Sequence, residues 1–206
     1  DNCTVLFADI SGFTAWSSRR EPTQVFILLE SLYGAFDRSA KKRRVFKVET
    51  IGDCYLAVTG LPEPQKDHAV IMCIFAHECM KKMKMIMSTE LRGVLADATE
   101  LSMRFGLHSG PVTGGVLRGE KSRFQLFGET VNTASRMESA GRKDTIHISQ
   151  TTADLLMEAN KSKWLMRRED LVSIKGKGHI QTFWLMHRDH GASDSVITGS
   201  YTHLRA

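Results

Sequence analysis

The sequence predicts an α+β fold with a ferredoxin-like βαββαβ core, to which further strands and helices are appended. Two kinds of signal indicate this fold. Apolar strand-like runs and helix-spaced apolar faces follow one another in the order that this core requires, and a hairpin signal joins two of the strands. The chain has 206 residues, of which 42% are hydrophobic, so it is long enough to bury one core.

The first strand and the first long helix open the predicted core. Residues 3–8 are mostly apolar, which predicts a buried strand. Pro22 suits the first turn of a helix, and apolar residues then recur at helical spacing from Val25 to Phe36. The basic run 41–44 closes this helix, where cations interact favourably with the negative end of the dipole. We interpret that run as a solvated helix end rather than a nucleic-acid patch.

A hairpin and a second long helix follow. Residues 45–50 and 54–59 predict two strands, which residues 51–53 join as a hairpin. Asp67 is a candidate N-cap for the helix that comes next. Its methionine-rich stripe is more typical of a core than of a cofactor site.

The second half of the chain completes the core and adds to it. In order it predicts a strand, a glycine-punctuated hairpin region, a helix, a short strand, a short helix and two late strands, at residues 101–107, 110–128, 130–139, 145–149, 151–158, 164–168 and 182–187. We therefore assign residues 1–188 to one domain. Residues 189–206 are polar and are expected to form a flexible tail.

Composition narrows the class of protein. The formal charge of +5 is compatible with an anionic ligand but is common. The four cysteines form no CxxC pair, so we expect reduced thiols in an intracellular compartment rather than disulfides or a zinc site. The longest apolar run, residues 69–76, is too short to span a bilayer. Because no starting Met or signal peptide is visible, we expect a domain of a longer protein.

Two acidic residues are candidates for a metal site. Asp9 ends the first strand, and Asp53 lies in the turn before the third. These strands lie side by side in a βαββαβ sheet, so the carboxylates converge; without basic partners they repel unless a cation joins them. Magnesium favours one or two carboxylates with water and phosphate oxygens. Gly12 would let backbone N–H groups approach a phosphate. The alternative is that Asp9 caps a helix and Asp53 serves a turn.

Two further motifs carry polar side chains suited to an anion. Asn132 and Arg136 are four residues apart and share one face of a predicted helix, where they suit an anionic centre. The alternative is that Arg136 pairs with Glu129 or Glu138 on the surface. The run Lys175-Gly176-Lys177-Gly178 suits phosphate binding from an exposed loop or, alternatively, is a solvated turn.

Five segments in order resemble the catalytic domain of class III nucleotidyl cyclases. They extend over Cys3 to His187 and read FADISGFT, FKVETIGDCYLAVTGLP, MRFGLHSGPVTGGV, FGETVNTASRME and IKGKG. The resemblance implies that residues 1–188 form a cyclase catalytic domain, which converts a nucleoside triphosphate to its 3′,5′-cyclic monophosphate and pyrophosphate.

The resemblance also implies a two-metal site between two catalytic domains. The matching positions are Asp9, Asp53 and the Ile10 carbonyl for two Mg²⁺ or Mn²⁺ ions, Phe13 and Thr14 for the triphosphate, Asn132 for the ribose, Arg136 for the α-phosphate and Lys177 for the terminal phosphates. In this family one domain supplies the metal carboxylates and the other supplies the base, ribose and phosphate contacts. Since this chain carries residues of both kinds, a homodimer with two composite sites is expected. A regulatory domain upstream is also expected, with the catalytic domain facing the cytoplasm and a parent that is either membrane-anchored or not.

Two positions that read the base in this family match Glu49 and Gln125. Glu is typical of guanylate cyclases at the position of Glu49. Gln at the position of Gln125 is typical of neither guanylate nor adenylate cyclases. An ionised Glu only accepts hydrogen bonds, and guanine offers donors at N1 and N2 where adenine presents an acceptor at N1. The amide of Gln125 suits either base. We therefore predict GTP as the substrate, unless Glu49 instead pairs with a nearby Lys or Arg.

Other functions remain open from the sequence. The first is an adenylate cyclase that uses ATP with atypical base-reading residues. The second is an inactive cyclase-like regulatory domain, although the metal acids and the Asn/Arg pair are all present. An RNA-binding module would need exposed aromatic residues in an RNP-like pattern, which is missing, so no nucleic-acid partner is expected. A cyclic-dinucleotide synthase would need a GGDEF-like hairpin, which is also missing.

Overall fold

The computed structural model describes residues 2–89, 91, 101–118, 122–174 and 178–186. The strands are β1 (Asn2–Ser11), β2 (Phe46–Ile51), β3 (Cys54–Thr59), β4 (Ser102–Pro111), β5 (Thr113–Leu117), β6 (Arg123–Phe127), β7 (Thr145–Ser149), β8 (Leu165–Arg167), β9 (Val172–Ile174), β10 (Gly178–Ile180) and β11 (Thr182–Leu185). The helices are α1 (Phe13–Ser17), α2 (Pro22–Arg43), α3 (His68–Ser88), α4 (Glu129–Ser139) and α5 (Gln150–Glu158), and a short 3₁₀ turn spans Ser162–Trp164.

The central sheet confirms the predicted core. Its seven strands lie in the order β2-β3-β1-β4-β7-β11-β8. β1 is central and pairs antiparallel with β3 on one side and with β4 on the other, as expected for a βαββαβ core. The appended strands β7, β11 and β8 extend the sheet beyond β4, and β7 is parallel to β4. The pairs β5–β6 and β9–β10 form two small separate sheets.

Helices α2 and α3 pack together over the core. α2 begins with Pro22 in its first turn, and a reciprocal capping box between Glu21 and Gln24 satisfies its first N–H groups. It ends at the predicted basic run, where Arg44 turns into the left-handed conformation (φ 57°). Buried Leu28 and Phe36 contribute to the main hydrophobic cluster.

Helix α3 confirms the interpretation of the methionine stripe as core. Met72, Met83 and Met87 are buried in the main cluster. Asp67 occupies the N-cap position of this helix, but its side chain makes no capping hydrogen bond, so the proposed capping role is wrong. In the described residues, no helix is both long enough and apolar enough to cross a membrane. All four cysteines are free thiols, as predicted.

Helix α4 lies unusually close to β4. A Cβ atom built on Gly106 would lie 1.9 Å from the backbone nitrogen of Glu138 and 2.6 Å from the carbonyl carbon of Met137. Real Cβ atoms do not approach other atoms so closely, so glycine at this position is what allows the helix to rest on β4.

Several boundaries differ from the sequence-based expectations. β1 does not end near Asp9 but continues to Ser11, because β4 extends alongside it and pairs Ser11 with Ser102. The strands β9 and β10 were not predicted, since three-residue strands are too short to show a period. The expected tail of residues 189–206 lies outside the described residues.

Candidate active site

The two predicted metal ligands meet at one end of the central sheet. Asp9 lies opposite Cys54 in the β1–β3 pairing, and Asp53 precedes Cys54 in the hairpin turn. Burial raises the pKa of Asp53, and the neighbouring Asp9 carboxylate raises it further. The same surroundings raise the pKa of Cys54 to about 12, chiefly through burial, so this thiol stays protonated and is a poor metal ligand or nucleophile.

An arginine that the sequence analysis missed contacts one of these acids. The Arg104 Nη2 group donates to Asp9 Oδ2 at 2.8 Å, and its Nε group donates to Glu138 Oε1 at 2.8 Å. Asp9 therefore has a basic partner, which the repulsion argument for a cation left out. Burial lowers the pKa of Arg104, but Glu138 and Asp9 outweigh burial and raise it overall, so the guanidinium stays charged.

A signal for this contact was present in the sequence. Arg104 interrupts the apolar strand 101–107, and a charge in a central strand is rare without a partner. In a βαββαβ sheet the fourth strand pairs with the first, and here Arg104 lies directly opposite Asp9. Cross-strand pairing could therefore have identified this ion pair.

The surroundings of the two acids fit a hard divalent cation. The hydroxyl of Tyr33 is buried and has no hydrogen-bond partner among the described residues. Burial raises the pKa of Tyr33, and the charges of Asp53, Cys54 and Asp9 raise it further, so these groups lie within electrostatic range of its hydroxyl. A buried hydroxyl of this kind is a ready partner for a further oxygen ligand or water.

The side chains alone nevertheless supply too few ligands to surround a metal ion. No group of three or more His, Cys, Asp or Glu side chains suited to a metal occurs in the part of the chain that the structure describes. The β1–β3 pairing stops at Asp9 and Cys54, so Ile10 is paired only with Met103 of β4. Two carboxylates, a backbone carbonyl, water and phosphate oxygens make up the set that Mg²⁺ prefers.

A small-residue turn follows the acids, as predicted. Gly12 has φ 88°, a left-handed conformation that strains other residues, and it leads directly into α1. A cavity of about 310 Å³ opens beside this turn, and Arg19, Arg20 and Lys143 contribute basic side chains to its lining. The backbone of Phe13 and Thr14 thus starts a short helix beside a basic cavity.

Asn132 and Arg136 lie on the exposed face of α4, where the predicted spacing puts them. Arg136 makes no ion pair within the described ranges, and Glu138 pairs with Arg104 instead. Arg136 and Glu138 are two residues apart, so they point to nearly opposite sides of the helix. Glu138 faces the sheet and Arg136 faces outward, so Arg136 points away from the side of the helix that contacts Arg104.

The base-reading candidates lie on two strands of different sheets, β2 and β6, which contact each other. Glu49 is half-buried on β2, next to a bulge in the pairing with β3, and Gln125 is half-buried on β6. An edge-to-face contact between Phe46 and Phe124, with ring centroids 5.1 Å apart, holds the two strands together. Glu49 has no ion-pair partner among the described residues, which disfavours the alternative that it pairs with a Lys or Arg. Lys177, the last predicted site residue, lies outside the described ranges.

Comparison with known proteins identifies the sequence family. Residues 1–187 match the family described as adenylate and guanylate cyclase catalytic domain. A receptor-type guanylate cyclase, gcy-28 of Caenorhabditis elegans, is 43% identical over 185 residues, which are 90% of this chain and 14% of the relative. The chain spans only 14%, 28% and 18% of the first three curated relatives that it matches.

Solved structures agree with this result. The guanylate cyclase domain of RhGC from Catenaria anguillulae, in complex with GTP, has a TM-score of 0.79 and 40% identity, and the match covers 92% of this chain and 98% of that chain. The adenylyl cyclase CyaB from P. aeruginosa has a TM-score of 0.82 and 26% identity, and the match covers 93% of this chain and 97% of that chain.

Proposed function

Since this chain belongs to the adenylate and guanylate cyclase catalytic domain family, we propose that it converts GTP to 3′,5′-cyclic GMP and pyrophosphate at composite sites of a homodimer. The observation that supports the proposal is that the two groups of candidate residues face different directions in one chain. Asp9 and Asp53 meet at one end of the sheet, whereas Asn132 and Arg136 point outward from α4. In a dimer, Asp9 and Asp53 of one chain would face Asn132 and Arg136 of the second copy, which would complete each site.

The metal half-site would consist of Asp9, Asp53 and the Ile10 carbonyl. Bound there, two Mg²⁺ or Mn²⁺ ions would lower the pKa of the ribose 3′-hydroxyl and neutralise charge on the leaving phosphates. The fit is supported by the two carboxylates, which interact with each other, and by the chemistry of this oxygen donor set.

The protein's own groups would position the substrate. The 3′-hydroxyl gives its proton to Asp9, to a substrate phosphate or to water, and its oxygen attacks the α-phosphorus. The bond from that phosphorus to the bridging oxygen breaks, and pyrophosphate leaves. In this scheme Asn132 of the partner orients the ribose and Arg136 of the partner stabilises charge on the α-phosphate. Backbone N–H groups from Gly12 to Thr14, and Lys177, bind the remaining phosphates. Positioning and charge stabilisation account for most of the catalysis, as in other phosphoryl transfers.

The choice of base would depend mainly on Glu49. Its carboxylate can accept from N1–H and N2–H₂ of guanine, whereas adenine would present a lone pair to it. The absence of an ion pair at Glu49 among the described residues leaves the carboxylate available for this role. The presence of Gln125 favours ATP as a second candidate substrate, because the amide oxygen of its side chain can accept a hydrogen bond from the adenine amine.

Exposed apolar side chains support the proposed homodimer. Val116 and Leu117 on β5 and Phe127 on β6 are each about half exposed, and their hairpin lies outside the central sheet. Such side chains are typical of a surface that a partner covers. Receptor-type relatives are much longer than this chain, so we also propose an upstream regulatory domain and a cytoplasmic position for the catalytic domain.

The direct test is product formation by the purified protein with Mn²⁺ and either GTP or ATP. We expect cyclic GMP as the main product, and no product from Asp9→Asn. Cyclic AMP as the main product would support the second candidate. An absence of both products from a folded dimer would support the inactive regulatory domain and overturn the proposal.

A further inference from the structure

We propose that the cavity beside the Gly12 turn, called here the basic cavity, is a separate anion site in which Arg19, Arg20 and Lys143 bind pyrophosphate. The inference rests on the proposed function for the source of this anion, because the reaction would release pyrophosphate next to the same turn. The basic cavity would then hold the leaving group after it has separated from the cyclic nucleotide.

The first wall of the basic cavity is the end of α1 and the turn that follows it. The backbone N–H of Arg19 donates to the carbonyl oxygen of Trp16 at 3.3 Å, and the N–H of Arg20 donates to that of Ser17 at 3.1 Å. These bonds continue the helical turn, and Trp16 is buried in the main hydrophobic cluster. The two arginines therefore start from a backbone that the core holds in place.

The second wall comes from the start of β4 and the residues before β7, where Leu101 and Lys143 line the basic cavity. Leu101 is buried in the main cluster. Asp144, which follows Lys143, donates its N–H to the carbonyl oxygen of Met103 at 2.7 Å and accepts from the Met103 N–H at Oδ1, at 3.4 Å. The backbone beside Lys143 is therefore tied to the central sheet.

The charge of the basic cavity has one sign. Its lining, as far as the structure describes it, contains three basic side chains and no acidic one. Within the described ranges neither Arg19 nor Lys143 forms an ion pair. The acids next to them in sequence have other contacts, since Glu21 belongs to the capping box of α2 and Asp144 binds β4. A cleft lined by one sign of charge concentrates ions of the opposite sign.

The side chains favour a phosphate-type anion with several charges. A guanidinium presents a planar fork of donors that matches phosphate oxygens, and two of the three cations are arginines. Arg20 is half-buried, and its guanidinium lies 5.5 Å from the centre of the Trp16 ring, which defines its position. The volume of about 310 Å³ is in the range of small-molecule sites. Pyrophosphate meets these requirements.

The basic cavity is distinct from the candidate metal site. Among the predicted site residues that the structure describes, only Gly12 lines it, and Asp9, Ile10 and Asp53 do not. The site would therefore bind its anion without a metal ion. This property separates it experimentally from the binding of substrate, which the proposed mechanism couples to metal.

The first experiment titrates pyrophosphate into the metal-free protein at low salt and measures binding by isothermal calorimetry. Arg19→Gln combined with Lys143→Gln should weaken binding about 5- to 30-fold, because two cations are lost. The matched control combines Arg38→Gln with Lys84→Gln, which changes the charge equally at exposed positions of α2 and α3. The control should stay within about twofold of the wild type, since distant charges are screened.

Three outcomes of this titration would overturn the inference. The first is equal binding by the wild type and the Arg19/Lys143 double variant, and the second is the same loss in the control. The third is inorganic phosphate binding as tightly as pyrophosphate, which would mean that the cavity takes free phosphate and not the leaving group.

The second experiment locates the bound anion through the fluorescence of Trp16. We expect pyrophosphate to change the tryptophan emission of the metal-free protein, because the anion would draw the Arg20 guanidinium away from the indole ring. Trp16→Phe should abolish this change, although Trp164 and Trp184 remain. A change that persists in Trp16→Phe would place the anion elsewhere and contradict the inference.

Cyclic GMP formation by the same wild-type preparation separates the two proposals. An active protein whose pyrophosphate binding does not depend on Arg19 and Lys143 would refute the basic cavity as the site and leave the proposed function intact. A folded dimer that makes no cyclic nucleotide would overturn the proposed function, and with it the source of the anion.

Discussion

The close contact between α4 and β4 makes Gly106→Ala the most informative single substitution for the fold. The added methyl carbon would lie 1.9 Å from the backbone nitrogen of Glu138, whereas ordinary contacts begin at 3.4 Å. The helix would have to move away by about 1.5 Å, the difference between these distances. Overpacking of this kind typically costs about 1–3 kcal/mol.

A displacement of that size would also break the side-chain contact at the end of the helix. The Arg104–Glu138 hydrogen bond is 2.8 Å long, and an additional 1.5 Å would take it beyond hydrogen-bond range. Loss of this charged contact adds about 1–3 kcal/mol. We therefore expect Gly106→Ala to lower the free energy of unfolding by about 2–6 kcal/mol.

Urea denaturation followed by circular dichroism measures this change. The matched control is Gly115→Ala on β5, where an added Cβ meets nothing within 4 Å. The control should stay within about 0.5 kcal/mol of the wild type. A Gly106→Ala variant as stable as the control would refute the packing described for α4.

Three further predictions concern stability, base choice and catalysis. Burial lowers the pKa of His147 from 6.5 to about 4. The imidazole of His147 therefore binds a proton at a higher pH in the unfolded chain than in the folded chain. The free energy of unfolding should fall by about 3 kcal/mol between pH 7 and pH 4, and urea titrations should show a smaller fall in His147→Gln. Glu49→Lys should shift the GTP-to-ATP ratio of kcat/KM towards ATP by about 5- to 150-fold, and an unchanged ratio would contradict the role of Glu49. Arg136→Ala should lower kcat about 10²- to 10³-fold without changing the melting temperature, because the side chain is exposed; a lowered melting temperature would indicate a structural role.

The predicted His147 behaviour has a clear structural origin. Its Nδ1 faces the carbonyl oxygen of Met137 at 2.7 Å, so that nitrogen carries the proton. Nε2 then accepts from the hydroxyl of Thr182 at 2.7 Å. Both ring nitrogens are satisfied in the neutral form, and a second proton at Nε2 would place a buried charge next to the Arg168 guanidinium.

The sequence predicted the elements that have strong periodicity and clear turns. The β2–β3 hairpin and strand β7 agree with the predicted ranges to within a residue, because short apolar runs are bounded there by Gly52 and by polar residues. The spacing of Asn132 and Arg136 also gave the correct shared face, since a helix fixes that relation locally.

The features that the sequence analysis missed depend on contacts between distant segments. Arg104 and Asp9 are 95 residues apart, and only the pairing of β1 with β4 brings them together. The capping role of Asp67 failed because the residue type alone does not determine where a side chain points. The end of β1 at Ser11 likewise follows from the length of its partner strand, which local sequence does not encode.

Complementation between two inactive variants tests the composite site most directly. Asp9→Asn removes a metal ligand, and Asn132→Ala removes the ribose contact. A mixed dimer of these two variants regenerates one intact site, with Asp9 from one chain and Asn132 from the other. Half of the dimers in an equal mixture are mixed, so we predict recovery of about a quarter of wild-type cyclic GMP formation. A mixture as inactive as each variant alone would contradict a site shared between two chains.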